Sequence, residues 1–153
     1  MKGAPILPAD FPREVEAFAC DLDRTLIAED VELRPRTQAA IARSRAAGLP
    51  VIIVTGRMFQ SARRYAEEAG ITEPIVCYQG AVVADPTTGE FLRHVPMPEA
   101  EAREVIDAVA ALGHTVLCYV DDELYVARET PESDAYAGFQ RSEERRVGKE
   151  CRL

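Results

Sequence analysis

The 153-residue sequence has no tryptophan, only two histidines and four cysteines, and fewer basic than acidic residues. Its 18 lysines and arginines against 26 aspartates and glutamates give a formal net charge of −8. This balance disfavours a nucleic-acid partner, because no basic surface would offset phosphate repulsion. The apolar runs are strand-sized, far below the roughly 20 residues of a membrane-spanning helix, so no membrane partner is predicted.

Cysteine usage and the first residues favour a cytoplasmic protein. Cys20, Cys77 and Cys118 fall in apolar, strand-like runs and are predicted to be buried and reduced. The segment 1–12 lacks the apolar core of a signal peptide. Both histidines, His94 and His114, lack partner ligands at a useful spacing and are predicted to lie on the surface.

What the sequence does contain is a pair of carboxylates directly after an apolar run. Residues 17–20 are predicted to form a buried strand, and Asp21 and Asp23 follow it, one residue apart. In open α/β sheets, ligands bind at the carboxyl ends of the strands. Two carboxylates this close repel each other unless a cation lies between them, and Mg²⁺ bound with water and a substrate phosphate would serve. The alternative is an ordinary strand end with solvated acids.

A second polar cluster follows the next predicted strand. The β-branched run 51–54 leads directly into Thr55, Gly56 and Arg57, and the helix predicted between the two strands makes a parallel βαβ unit. Gly56 would let backbone N–H groups approach a phosphate, and Arg57 could pair with it in a bidentate manner. Thr55 on its own is consistent with the N-cap of the following helix.

The motif Asp-Leu-Asp-Arg-Thr at 21–25, together with Thr-Gly-Arg at 55–57, resembles the first two motifs of haloacid dehalogenase-like phosphatases of the Cof type. The resemblance implies that Asp21 is a nucleophile that forms an aspartyl-phosphate, and that Asp23 is the general acid and base. It implies that Thr25 fixes their turn, that Thr55 binds the transferred phosphate, and that the Asp21 carboxylate and the Asp23 backbone carbonyl hold Mg²⁺.

Two positions depart from the pattern of the resembled family. Arg24 stands where the family often has glycine, although both carboxylates of the motif are kept. After a third predicted strand at 75–78, Gln79-Gly80-Ala81 stands where the subgroup usually has Asn-Gly-Ala. Gly80 is therefore assigned a supporting role, and a substrate contact by Gln79 is left open.

The resemblance also divides the chain. Residues 1–81 are expected to form part of a doubly wound, Rossmann-like α/β core, and 82–140 the start of an α+β cap of the C2 type. The cap prediction follows from hairpins at 82–95 and 115–127 around a helix at 98–112. The second turn, Asp121-Asp122, could bind a cation but is interpreted as a solvated turn. The charged segment 141–153 is predicted to be a non-native tail.

The function implied by the resemblance is Mg²⁺-dependent hydrolysis of a small phosphorylated metabolite, such as a sugar phosphate, through an aspartyl-phosphate. The lysine and the further acidic motif that complete the family's site are not found, so the chain is expected to be an inactive N-terminal fragment. Two alternatives are a phosphomutase with the same chemistry and a receiver-like module phosphorylated on aspartate. No oligomeric state is predicted.

Overall fold

The computed structural model describes residues 14–140 and 145–147. The strands in these residues are Phe18–Cys20 (β1), Val51–Ile53 (β2), Ile75–Cys77 (β3), Val82–Ala84 (β4), Phe91–His94 (β5), Leu117–Val120 (β6), Glu123–Val126 (β7) and Arg145–Val147 (β8). The helices are Pro35–Ala46 (α1), Phe59–Ala69 (α2), Glu99–Ala111 (α3) and Pro131–Gln140 (α4). None of the described helices has the length and apolar character to cross a membrane.

The first three strands form a parallel arrangement with α1 and α2 as their connections. β1 pairs with β2 so that Cys20 lies opposite Ile53, and a parallel bridge between Val54 and Val76 joins the end of β2 to β3. Because parallel strands end at the same edge, the polar segments that follow β1, β2 and β3 meet there. The predicted α/β class with a parallel sheet is confirmed.

Helix α2 supplies much of the apolar cover of this sheet. Its buried positions Phe59, Ala62, Tyr65 and Ala66 recur at intervals of three or four residues, so they share one face of the helix. That face packs into a cluster with buried side chains of the strands and of the segment after β1, including Leu22, Ile27, Ile53, Ile75 and Cys77. Each large apolar side chain buried there contributes about 1.5–3 kcal/mol. The cluster therefore fixes α2 against the strand ends.

Antiparallel hairpins follow the parallel unit, as predicted. β4 pairs with both β3 and β5, and β6 pairs with β7 around a two-residue turn. In that turn Asp121 and Asp122 have φ values of 51° and 62°, the positive pair that a type I′ hairpin requires. The division of the chain into core and cap stays a prediction.

Helix α4 was not predicted, although the sequence carries a local signal for it. Pro131 occupies the first helical position, and Thr130 and Ser133 exchange hydrogen bonds across the first turn, with distances of 2.9–3.2 Å. Of the predicted non-native tail, 141–144 and 148–153 lie outside the described residues, whereas β8 pairs in parallel with β7.

Candidate functional site

A pocket of about 220 Å³ opens where β1, β2 and β3 end. The residues that line it are Asp21, Val54, Thr55, Gly56, Gln79 and Gly80. Four of the predicted site residues are thus brought together from three separate segments of the chain. Their roles in binding or chemistry stay predictions.

The turn after β1 separates the two carboxylates of the predicted motif. Leu22 is fully buried between them, and its carbonyl accepts hydrogen bonds from the backbone N–H groups of Thr25, Leu26 and Ile27 at 3.3, 3.0 and 2.9 Å. The Asp21 side chain is exposed, whereas Asp23 is half-buried. Thr25 thus takes part in the turn through its backbone.

The backbone conformation of Arg24 is one that glycine adopts more easily. Its φ is 59°, in the left-handed region where residues with a Cβ are disfavoured. The arginine therefore keeps the turn at a cost in backbone strain.

The structure places Arg57 on Asp23 and leaves it outside the lining of the pocket. The guanidinium is 1% exposed and makes a bidentate pair, with Nη2 2.6 Å from Asp23 Oδ1 and Nε 2.8 Å from Oδ2. Its Nη1 donates to Ser61 Oγ at 3.0 Å, and its Cζ lies 5.6 Å from the centre of the Tyr65 ring. Burial lowers the pKa of Arg57, but the hydrogen bond and charge of Asp23 outweigh this and raise the pKa above its usual value. Direct phosphate binding by Arg57 stays a prediction.

Thr55 lies in the pocket wall and does not cap α2. Its Oγ1 accepts a hydrogen bond from the backbone N–H of Arg57 at 3.2 Å, which forms a local turn directly after β2. Helix α2 begins at Phe59, and its N-cap residue is Met58. The N-cap alternative for Thr55 is therefore wrong. The residue Thr55 is 5% exposed and lines the same pocket as Asp21.

The turn after β3 is strained and closes the pocket over Gly56. Tyr78, Gln79 and Gly80 have φ values of 51°, 56° and 94°, three consecutive residues in the left-handed region. The Gln79 side chain lies so close to Gly56 that a Cβ there would meet Nε2 at 2.3 Å. Glycine at 56 thus leaves room for the Gln79 amide, which a Cβ at this position would push aside. Backbone strain of this kind costs about 1–3 kcal/mol for a residue with a Cβ, here Tyr78 and Gln79, and is concentrated at functional sites.

The second hairpin turn is not simply solvated as predicted, because Asp122 contacts the start of α2. Asp121 is exposed, but the Asp122 carboxylate accepts hydrogen bonds from the backbone N–H groups of Phe59 at 3.0 Å and Gln60 at 3.2 Å, and from Tyr78 Oη at 2.5 Å. Burial raises the pKa of Asp122, and these hydrogen bonds oppose the rise only in part. The turn docks on the amino end of α2.

The side chains offer some, but not all, of the ligands that Mg²⁺ would take. Within the described residues no three His, Cys, Asp or Glu side chains form a cluster suited to a metal ion. The exposed Asp21 carboxylate fits a cation that keeps several waters and binds one or two carboxylates. The Asp23 carboxylate is engaged by Arg57, so only its backbone carbonyl would remain for the predicted coordination.

Of the three cysteines predicted to be buried, one is. Cys77 is fully buried, whereas Cys20 and Cys118 are half-buried, and all three are free thiols. Burial raises the pKa of Cys77 to about 12. His94 and His114 are exposed, as predicted.

Comparison with known proteins identifies a family match and relatives that are named as phosphatases. Residues 18–150 match the family described as haloacid dehalogenase-like hydrolase. The chain is 32% identical over 113 residues to the pyridoxal phosphate phosphatase YbhA of Escherichia coli, covering 74% of this chain and 42% of YbhA. It is 33% identical over 110 residues to the 5-amino-6-(5-phospho-D-ribitylamino)uracil phosphatase YitU of Bacillus subtilis, covering 71% of this chain and 41% of YitU.

The solved structure of TM0651 from Thermotoga maritima has a similar fold. It matches with a TM-score of 0.71 and 25% identity, over 90% of this chain and 51% of TM0651. The chain therefore spans about half the length of this structure, and less than half of YbhA and YitU.

Proposed function

The chain belongs to the haloacid dehalogenase-like hydrolases, and on this premise we propose that the whole protein hydrolyses phosphate monoesters of small metabolites, with Asp21 as the nucleophile. The observation that carries the proposal is the shared pocket of Asp21, Thr55 and Gly56 at the ends of two parallel strands. A carboxylate, a hydroxyl and closely approached backbone N–H groups suit an attack on a phosphoryl group.

In the proposed reaction an Asp21 carboxylate oxygen attacks phosphorus, and the bond from phosphorus to the ester oxygen breaks. The leaving alcohol takes a proton, and water then attacks the aspartyl-phosphate to release inorganic phosphate and free Asp21. The exposure of the Asp21 side chain leaves it accessible to substrate. Bound Mg²⁺ would supply positive charge against the phosphoryl oxygens. Thr55 would hydrogen-bond one of those oxygens.

Asp23 is proposed to donate the proton to the leaving alcohol and to take one from the attacking water. Each of its carboxylate oxygens accepts one hydrogen bond from Arg57, so proton transfer to the substrate would use a lone pair that this pairing leaves open. The role proposed for Arg57 is thus to hold Asp23 beside the pocket.

The proposed substrates are small phosphorylated metabolites. YbhA and YitU are named for pyridoxal phosphate and 5-amino-6-(5-phospho-D-ribitylamino)uracil, which are both of this class. The net charge of −8 continues to disfavour nucleic acid. We propose a cytoplasmic location, which the free thiols support.

We also propose that residues 1–81 belong to the catalytic core and 82–140 to part of a cap. The β6–β7 hairpin supports this division, because it lies in a sheet separate from the strands β1 to β5. A cap that docks beside the phosphate pocket would select the part of the substrate that carries the phosphate.

The experiment is hydrolysis of p-nitrophenyl phosphate with Mg²⁺, measured on this chain and on its extension to the length of its relatives. Asp21→Asn should abolish turnover in the active protein. Asp107→Asn is the matched control, because it removes the same charge from an exposed position on α3. Turnover retained in Asp21→Asn would remove Asp21 from the nucleophile role. A long-lived phosphoryl adduct at another aspartate, found by mass spectrometry, would favour a phosphoacceptor module.

A further inference from the structure

Asp122 provides from a distance the cap that helix α2 lacks locally. The N-cap residue Met58 makes no side-chain capping bond. The Asp122 carboxylate instead accepts from the first two N–H groups of the helix, and the Asp122 carbonyl accepts from Gln60 Nε2 at 3.2 Å. A carboxylate at the amino end of a helix also interacts favourably with the helix dipole. The β6–β7 hairpin thereby holds the start of α2, directly after the Thr55-Gly56-Arg57 segment.

The same carboxylate holds the turn that forms the other wall of the pocket. Tyr78 donates its hydroxyl to Asp122 Oδ1, and Tyr78 begins the left-handed turn whose Gln79 and Gly80 line the pocket. The Tyr78 backbone N–H donates to the Arg57 carbonyl at 3.0 Å, which joins this turn to the segment before α2. The two walls of the phosphate pocket therefore meet at one side chain from the hairpin.

The residue type at position 122 is unusual for this turn, which indicates a role for the Asp122 side chain. Two-residue type I′ turns usually place glycine at the second position, where this chain has Asp122 at a φ of 62°. The Tyr78 ring also packs edge-on against Tyr119 of β6, with ring centres 5.1 Å apart. The hairpin thus contacts the Tyr78 turn through both a hydrogen bond and an aromatic pair.

We propose that Asp122 is a positioning residue for the phosphate pocket: from the hairpin it fixes the start of α2 and the Tyr78 turn, and so sets the spacing of Gly56 and Gly80. The inference rests on the proposed function for its catalytic meaning. Its physical content is a coupling between hairpin docking and pocket shape, which is measurable without turnover.

The decisive comparison is Asp122→Asn against Asp121→Asn. Both substitutions remove one charge from the same turn and keep a residue that tolerates positive φ, but only Asp122 contacts the core. The backbone amide signals of Gly56 and Gly80, measured by ¹⁵N NMR, report on the pocket walls. Neither glycine is a hydrogen-bond partner of the substituted side chains. We expect both signals to shift in Asp122→Asn and to stay in place in Asp121→Asn.

The second readout is affinity for inorganic phosphate with Mg²⁺, or KM for p-nitrophenyl phosphate in the active protein. Asp122→Asn should weaken phosphate affinity or raise KM about tenfold, with a smaller change in kcat, because a misplaced wall weakens binding first. Tyr78→Phe removes one hydrogen bond and keeps the ring, so it should move the same signals by less in a chain whose hairpin turn is unaltered.

Unchanged Gly56 and Gly80 signals in a folded Asp122→Asn protein would overturn the inference. Shifted signals with unchanged phosphate affinity would overturn the role of Asp122 in phosphate binding, because affinity would then not depend on the wall spacing that the hairpin sets. A wild-type protein that neither binds phosphate nor hydrolyses p-nitrophenyl phosphate would overturn the proposed function, while the two amide signals would still decide whether Asp122 sets the pocket walls.

Discussion

Replacing Asp23 by alanine is expected to destabilise the protein far more than replacing Asp21, although both acids belong to one short motif. The reason is Arg57, whose guanidinium is 1% exposed and is paired through two nitrogens with the Asp23 carboxylate. Loss of Asp23 leaves a buried positive charge with Ser61 and the Tyr65 ring as remaining partners among the contacts described above. Asp21 is exposed, so its loss leaves no such charge behind.

The magnitude follows from the burial of each partner. Removing one member of a fully buried ion pair costs about 3–5 kcal/mol. The Asp23 side chain is 32% exposed, so solvent screens part of the interaction, and we expect a loss of about 2–3 kcal/mol in the free energy of unfolding. Asp21→Ala should stay within about 0.5 kcal/mol of the wild type, as surface substitutions usually do.

Removal of the other member of the ion pair, by Arg57→Met, provides the matched test. It removes the buried charge and leaves Asp23 on a side that water can reach, so it should cost less than Asp23→Ala, about 1–2 kcal/mol. The double variant should be more stable than Asp23→Ala alone. That outcome would show that the buried guanidinium deprived of the Asp23 carboxylate, and not the lost packing of Asp23, causes the loss of stability.

Urea unfolding monitored by circular dichroism gives the free energies of unfolding of the wild type and the four variants on one scale. Thermal melting should agree, with Asp23→Ala lowering the midpoint by roughly 4–12 °C, since 1 kcal/mol corresponds to about 2–4 °C for a chain of this size. Equal stability of Asp23→Ala and Asp21→Ala would refute the reasoning, because Arg57 would then find compensation without Asp23.

Four further outcomes are expected. Burial raises the pKa of Cys77 to about 12, so iodoacetamide at pH 8 should label half-buried Cys118 far faster, as read by peptide mass spectrometry. Because the folded pKa lies above that of the free thiol, this contribution to stability is complete below about pH 9 and is lost towards pH 12, which urea unfolding at alkaline pH would detect. Gly56→Ala should weaken phosphate binding about tenfold, because the new Cβ displaces the Gln79 amide, and Gln79→Ala in the same chain should restore part of the affinity if that clash is the cause. Calorimetric titration should give a Mg²⁺ dissociation constant of about 1 mM or weaker, because the described residues hold no cluster of three acids, and Asp21→Asn should abolish the heat; tight binding unaffected by that change would contradict the assigned ligand.

The local parts of the fold were predictable because their signals lie within a few residues. The apolar runs before Asp21 and Thr55 predicted β1 and β2. The strand β1, expected to be buried, is mostly exposed. The edge rule for parallel strands then brought Asp21 and Thr55 together without any further information. Helix α4 was missed, although the Thr130-Pro131 start is an equally local signal.

The partner of Arg57 was not predictable in the same way. A carboxylate and a phosphate offer a guanidinium the same two-oxygen geometry, so the sequence placed Arg57 at the right edge without deciding between them. In the structure Leu22 is buried between the two acids, and Asp23 pairs with Arg57 in the segment before α2. That packing involves contacts across 34 residues of sequence, and no local pattern records it.

The three carboxylates of this region show what the sequence leaves open. In the sequence, Asp21, Asp23 and Asp122 are alike: each follows an apolar strand and is consistent with a solvated acid. In the fold, Asp21 stays exposed, Asp23 neutralises a buried arginine, and Asp122 caps a helix that begins 63 residues earlier. The environments of the three carboxylates differ because each one faces a different set of hydrogen-bond donors. The acidic residues therefore locate the site in the sequence, whereas the role of each carboxylate depends on the group with which it pairs in the fold.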